Sequence, residues 1–123
     1  MLTVRVERAD DVVVVKCAGR IVRGQESVLR SAVLEEKNAR MVVLDLTEVD
    51  GIDAGGLNLL VSLHRWTEGN RAHLKLVNPS SFVHEMLTRT RLDCVFDISS
   101  FDHALAVLAN GKREARPAQA AAY

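Results

Sequence analysis

The segment that decides the fold occupies residues 45–57 and reads Asp45-Leu46-Thr47-Glu48-Val49-Asp50-Gly51-Ile52-Asp53-Ala54-Gly55-Gly56-Leu57. It begins within an apolar, β-branched run at residues 41–46, which is typical of a strand covered on both faces. It precedes residues 56–68, where apolar side chains fall on two stripes at helical spacing. We therefore expect a buried strand, an acidic and glycine-rich loop, and a helix buried on more than one side, in that order.

Strand-like and helix-like segments alternate on both sides of this unit. The patterns predict two opening strands at residues 2–6 and 12–18, a helix at 24–38, a strand at 72–77, a helix opened by Asn78 and Pro79, a strand at 94–98 and a last helix around 101–108. Alternating strands and helices imply parallel strands joined by crossovers, and the opening hairpin adds an antiparallel edge strand. The expected fold is α/β, with a mixed five-stranded sheet and about four helices chiefly on one side.

Length and composition indicate one small domain without an excess of charge, aromatic residues or long apolar runs. The chain has 123 residues; we assign 1–110 to a single domain and 111–123 to a flexible tail. Sixteen basic residues balance sixteen acidic ones and only 4% are aromatic, which argues against nucleic-acid binding. No apolar run reaches the roughly 20 residues of a membrane helix, so no direct membrane insertion is expected. The isolated Cys17 and Cys94 are expected to be buried free thiols in a cytoplasmic protein.

Residues 45–57 carry the strongest candidate site. Asp53 is placed to cap the following helix, but the run Ala54-Gly55-Gly56 is poor helix sequence and suits the close approach of another chain. The acidic residues would repel a nucleotide phosphate, and no dinucleotide-binding or Walker pattern is present. The four histidines lack metal-ligand spacing. We therefore expect no cofactor, no metal and no catalytic residues.

The same segment resembles the signature of STAS domains, the family of bacterial anti-sigma-factor antagonists. The family pattern D-L-S/T-x-V-x-x-I-D-S-S/A-G-L aligns with residues 45–57 and agrees with them at every specified position except Ala54 and Gly55. Further similarities are Gly19-Arg20-Ile21, Val77-Asn78-Pro79 and Thr90-Arg91-Leu92, so that the resemblance covers about residues 2 to 109. The element order derived above is independent of this match and agrees with the family fold.

Departures from the family pattern bear directly on function. The resemblance implies a serine that a partner kinase phosphorylates, yet Gly55 stands at that position and Ala54 beside it. Thr47 supplies a hydroxyl within the same segment, and a structural hydrogen bond is favoured over a phosphosite there. Val22 followed by Arg23 replaces the acid that often follows the G-x-L motif. Arg91 replaces a glycine and would be strained if the backbone there is left-handed.

The resemblance implies a non-enzymatic module that binds an anti-sigma factor or a kinase-like switch protein, with a homodimer also open. The expected partner-binding residues are Arg20, Arg23, Asp50, Asp53, Ala54, Gly55, Gly56 and Asn58. Because Gly55 cannot accept phosphate, the protein should be competent to bind at all times or be regulated elsewhere. The alternative is a structural STAS subunit of a lipid-transport or stress-sensing scaffold complex. A nucleotide-using enzyme is the third and least favoured hypothesis.

Overall fold

The computed structural model describes residues 1–99, which build a mixed sheet in the strand order β1-β2-β3-β4-β5. The strands are β1 (Leu2–Ala9), β2 (Val12–Ile21), β3 (Met41–Ile52), β4 (His73–Val77) and β5 (Asp97–Ser99). Strand β1 runs antiparallel to β2, and every other neighbouring pair is parallel. The predicted five-stranded sheet with an antiparallel edge strand is therefore confirmed.

Three α-helices connect the parallel strands within residues 1–99: α1 (Glu26–Leu34), α2 (Ala54–Gly69) and α3 (Ser81–Arg89). Their buried leucines and valines pack on one face of the sheet and form the main core. A smaller cluster, Val43 and Val77, lies on the opposite face of the sheet, which we call the outer face. The predicted fourth helix and the predicted tail lie outside the described residues. Among the helices of residues 1–99, none has the length and apolarity needed to cross a bilayer.

The predicted loop after Leu46 is wrong, because β3 continues through this segment to Ile52. Strand β2 likewise continues past Gly19 to Ile21, and the two strands stay paired across two register shifts. Val49 and Ile52 are buried while the intervening Asp50 is exposed, so the acidic residues occupy the solvent side of a strand. Helix α2 accordingly begins at Ala54, two residues earlier than predicted.

The elements after β4 also differ in detail from the prediction. Helix α3 is capped by the Ser80 hydroxyl, which accepts a hydrogen bond from the Val83 N–H, and not by Asn78. Asn78 itself has a left-handed backbone with φ 51°, which places it outside a helix N-cap. Strand β5 begins only at Asp97, because residues 92–94 form a 3-10 turn. Cys94 is consequently exposed, whereas Cys17 is buried as expected.

Arg91 has the left-handed backbone that the family glycine implied. Its φ is 59°, and it lies immediately before the 3-10 turn. A left-handed conformation costs a side-chain-bearing residue about 1 kcal/mol compared with glycine. The left-handed backbone at Arg91 therefore carries a cost in stability.

Candidate functional site

Asp53 joins the start of α2 to the loop that follows β2. One carboxylate oxygen, Oδ1, accepts a hydrogen bond from the Gly56 N–H at 2.9 Å, which caps the helix as predicted. The other oxygen, Oδ2, accepts a hydrogen bond from the Arg23 N–H at 3.0 Å. The hydrogen bonds from the Arg23 and Gly56 N–H groups lower the pKa of Asp53 below its usual value. The two segments expected to form one surface are thus held together by a single charged side chain.

Gly56 packs directly against the end of β2. A Cβ atom at this position would lie 1.9 Å from the Ile21 carbonyl oxygen and 2.8 Å from Ile52 Cγ1. Neither distance is possible, so the position requires glycine in this arrangement. Gly56 is buried and sets how closely α2 approaches the sheet, which gives it a structural role.

Gly55 stands in a different environment one residue earlier. A Cβ atom there would lie 3.3 Å from Asp53 Oδ1 and 3.4 Å from Arg23 Cβ, a tight but attainable contact. The site can therefore accept a small side chain if its neighbours move by a few tenths of an ångström. Gly55 is partly exposed and presents backbone without a side chain at this surface.

A groove of about 550 Å³ lies between α1 and α2, beside Gly55. The groove is lined by Arg23, Glu26, Arg30, Ala54, Gly55, Asn58, Leu59 and Ser62. We call this feature the α1–α2 groove. It joins the β2–α1 loop to the first two turns of α2, so that four of the predicted binding residues meet in one concave surface.

The remaining predicted residues lie at or beyond the border of this groove. The Arg20 side chain extends over Gly51, where an added Cβ would lie 2.9 Å from Arg20 Nε. Asp50 is an exposed residue of β3, and neither Arg20 nor Asp50 lines the groove. The sequence analysis missed the groove residues Glu26 and Arg30. No local motif marks them, because they enter the site only through the packing of α1 against α2.

Thr47 has the structural role that was favoured for it. Its hydroxyl donates a hydrogen bond to Asp45 Oδ1 at 2.5 Å, and its N–H donates to the same oxygen at 3.0 Å. These two hydrogen bonds join residues within strand β3, and neither residue lines the α1–α2 groove.

The chemistry available in the groove is that of binding. Its polar groups are two guanidinium groups, one carboxylate, an amide and a hydroxyl, and none of them is arranged as a nucleophile with an adjacent base. Within residues 1–99, no three His, Cys, Asp or Glu side chains come together to hold a metal ion. The arrangement is suited to docking another molecule against backbone and charged side chains.

Comparison with known proteins agrees with this fold. The model of the STAS domain family matches residues 3–104. An anti-sigma-factor antagonist from Mycobacterium paratuberculosis superposes with a TM-score of 0.77 at 24% identity, covering 87% of this chain and 93% of that one. An anti-sigma-factor antagonist (STAS) domain protein from Planctomyces limnophilus gives 0.75 at 23%, covering 87% and 98%.

A third solved structure comes from a different class of protein. A sulfate transporter family protein from Wolinella succinogenes gives a TM-score of 0.73 at 21% identity, covering 82% of this chain and 87% of that one. At these identities the structural likenesses establish the fold alone. The search of curated protein sequences found no significant match.

Proposed function

Because the chain belongs to the STAS domain family, we propose that it is a non-enzymatic, protein-binding regulatory module of the anti-sigma-factor-antagonist type. Its partner is an anti-sigma factor or a related kinase-like switch protein, and it acts in the cytoplasm. The partner-binding surface consists of residues 20–25 and 50–58. It needs no cofactor.

The observation that carries this proposal is the pair of hydrogen bonds made by Asp53. The carboxylate binds the Arg23 and Gly56 N–H groups, which fixes the β2–α1 loop against the start of α2. A surface that is already rigid loses less conformational entropy when it binds, so pre-organisation favours affinity. Ala54 and Asn58 lie beside these hydrogen bonds and are exposed, so that a partner can contact them.

Gly55 determines how this surface can be regulated. A phosphoserine adds a charge of roughly −1.5 to −2, which disrupts a tight interface by repulsion and desolvation. Glycine has no hydroxyl to accept the phosphate, so phosphorylation at this position cannot release the partner. We therefore assign the protein a constitutively competent binding state at this surface.

Affinity capture from the source organism with matched glycine variants tests the proposal. Gly55→Asp adds one negative charge at the start of α2, where the position can hold a small side chain. Gly69→Asp adds the same charge at the far end of α2, where nothing lies within 4 Å of an added Cβ. We expect Gly55→Asp to lose the partner and Gly69→Asp to retain it. Circular dichroism of both variants establishes that they are folded.

Two outcomes would contradict the proposal. Equal recovery of the partner by both variants would show that the partner does not bind at residues 20–25 and 50–58. Recovery of a transporter ATPase or of a large multi-subunit assembly would favour the structural-subunit alternative, which does not depend on a phosphorylatable serine.

A further inference from the structure

We propose that the α1–α2 groove receives an acidic segment of the partner protein, with its carboxylates placed between Arg23 and Arg30. This inference rests on the proposed function, since it states the chemistry of the partner that binds the same surface. Arg23 belongs to the loop after β2 and Arg30 to α1, so the two cations approach the groove from different elements.

The two arginines are available for a ligand. Both are exposed, and among residues 1–99 no carboxylate lies within 4.0 Å of either guanidinium. Arginine is also the cation best suited to carboxylates, because its planar fork can donate two parallel hydrogen bonds. Two such groups on opposite sides of one groove make a receptor for a chain bearing more than one carboxylate.

The carboxylate of Glu26, which lines the groove, is already engaged by the protein. Glu26 Oε1 accepts a hydrogen bond from the Gly24 N–H at 2.6 Å. Backbone hydrogen bonds from the Glu26 and Gly24 N–H groups lower the pKa of Glu26, with a smaller contribution from the Arg30 charge. The exposed acids Glu48 and Asp50 lie outside the groove lining. The residues that line the groove, two arginines and one glutamate, thus carry one net positive charge in a chain whose formal net charge is zero. Asp53 lies beside the groove, and both of its carboxylate oxygens already accept hydrogen bonds from the Arg23 and Gly56 N–H groups.

The shape of the groove fits a peptide segment. Its volume of about 550 Å³ can hold a few side chains, and Ala54 and Gly55 contribute no bulk that would keep a partner's backbone away. Asn58 and Ser62 lie one helical turn apart on α2 and add neutral polar groups along the same side. The Ser62 hydroxyl donates to the Leu59 carbonyl, which leaves its oxygen free to accept a hydrogen bond.

A protein segment is favoured over nucleic acid as the occupant. Binding a nucleic-acid backbone takes several phosphate contacts along a basic stripe, and here two guanidinium groups border a groove that also contains Glu26. Among residues 1–99, no phenylalanine, tyrosine or tryptophan lines the groove to stack on a base. Charge complementarity of this size is typical of protein interfaces, where it sets register and association rate.

Titration of the ¹⁵N-labelled protein with short model peptides tests the inference. One peptide carries alternating glutamates, a second has glutamine at those positions, and a third has lysine. We expect the glutamate peptide alone to shift the amide signals of Arg23, Gly55 and Asn58, with an apparent affinity that falls as salt rises from about 50 to about 500 mM. Equal shifts with the glutamine peptide, or an absence of shifts at these residues, would overturn the inference.

Charge-reversal variants provide the matched control. Arg30→Glu should weaken binding of the glutamate peptide roughly three- to tenfold, since it replaces an attraction with a repulsion. Arg5→Glu makes the same change in net charge on β1, at a separate depression on the outer face of the sheet, and should leave the affinity unchanged. An equal loss in both variants would assign the effect to net charge and overturn the groove as the site. A single-stranded RNA that shifts the same amides more strongly would replace the proposed occupant.

The captured partner separates a failure of this inference from a failure of the proposed function. If Gly55→Asp loses the partner while Arg30→Glu retains it as fully as Arg5→Glu does, the surface stands and the acidic segment is overturned. If neither variant affects capture, both proposals are overturned.

Discussion

Replacing Gly56 by alanine should destabilise the protein by forcing α2 away from the end of β2. The new Cβ would stand 1.9 Å from the Ile21 carbonyl oxygen, and real Cβ atoms essentially never approach closer than 3.0 Å, so the gap must open by about 1 Å. The same oxygen accepts a hydrogen bond from the Asp53 N–H at 3.4 Å, which the movement would break. The substitution therefore strains packing and costs a hydrogen bond at one point.

The net effect is a competition between strain and helix propensity. Overpacking a rigid site costs about 1 to 3 kcal/mol, while alanine regains up to about 1 kcal/mol over glycine inside a helix. We expect the free energy of unfolding to fall by about 1 to 2 kcal/mol. For a domain of this size, that corresponds to a decrease in Tm of about 4 to 8 °C. Urea unfolding followed by circular dichroism measures the change, with an unchanged m-value confirming a two-state comparison.

The adjacent Gly55→Ala is the matched control. It makes the same chemical change in the same turn of α2, but its Cβ would meet its nearest neighbours at 3.3 to 3.5 Å. We expect its free energy of unfolding to stay within about 0.5 kcal/mol of the wild type. Equal stabilities for the two variants would refute the close contact between Gly56 and Ile21, and with it the account of how α2 is positioned.

Three further predictions concern single side chains. Asp53→Asn keeps one acceptor oxygen for two N–H donors and should lower the Tm. Because hydrogen bonds lower the pKa of Asp53, its contribution to stability is present above about pH 4 and is lost as the pH falls further. The difference in Tm between the variant and the wild type should therefore shrink in acid. Asp97→Asn removes the carboxylate that lies 3.0 Å from the nearly buried Lys75 ammonium. The free energy of unfolding measured in urea should fall by about 1 to 2 kcal/mol, and by less when Lys75→Met is combined with it. A thiol reagent should label the exposed Cys94 of the native protein quickly and Cys17 only on unfolding. Burial raises the pKa of Cys17 to about 12, which keeps its thiol protonated and unreactive. Prompt labelling of both cysteines would contradict the fold.

The architecture was predictable because the spacing of apolar residues along the sequence indicates which side of each strand or helix is buried. Alternation marked the opening hairpin, and leucines at helical spacing marked α2. The cap by Asp53 was also local, since an N-cap binds N–H groups only two or three residues away. These features need no knowledge of the rest of the chain.

Features that depend on pairing between distant segments were missed. The acids and Gly51 made the end of β3 look like a loop, but this segment is a strand because β2 pairs with it beyond the irregularity at Gly19. The entry of Arg30 into the candidate site depends on how α1 packs against α2, which no spacing within α1 reveals. The cap of α3 was misassigned because Asn78 and Ser80 are both good capping residues and only the backbone conformation distinguishes them.

Hydrogen–deuterium exchange of the complex with its captured partner tests the central claim most directly, because it locates the interface without a substitution. Complex formation should slow amide exchange in residues 20–25 and 53–58, while the outer face of the sheet and α3 keep the exchange rates of the free protein. Protection confined to α3 or to the outer face, with the β2–α1 loop and the start of α2 unchanged, would contradict the account.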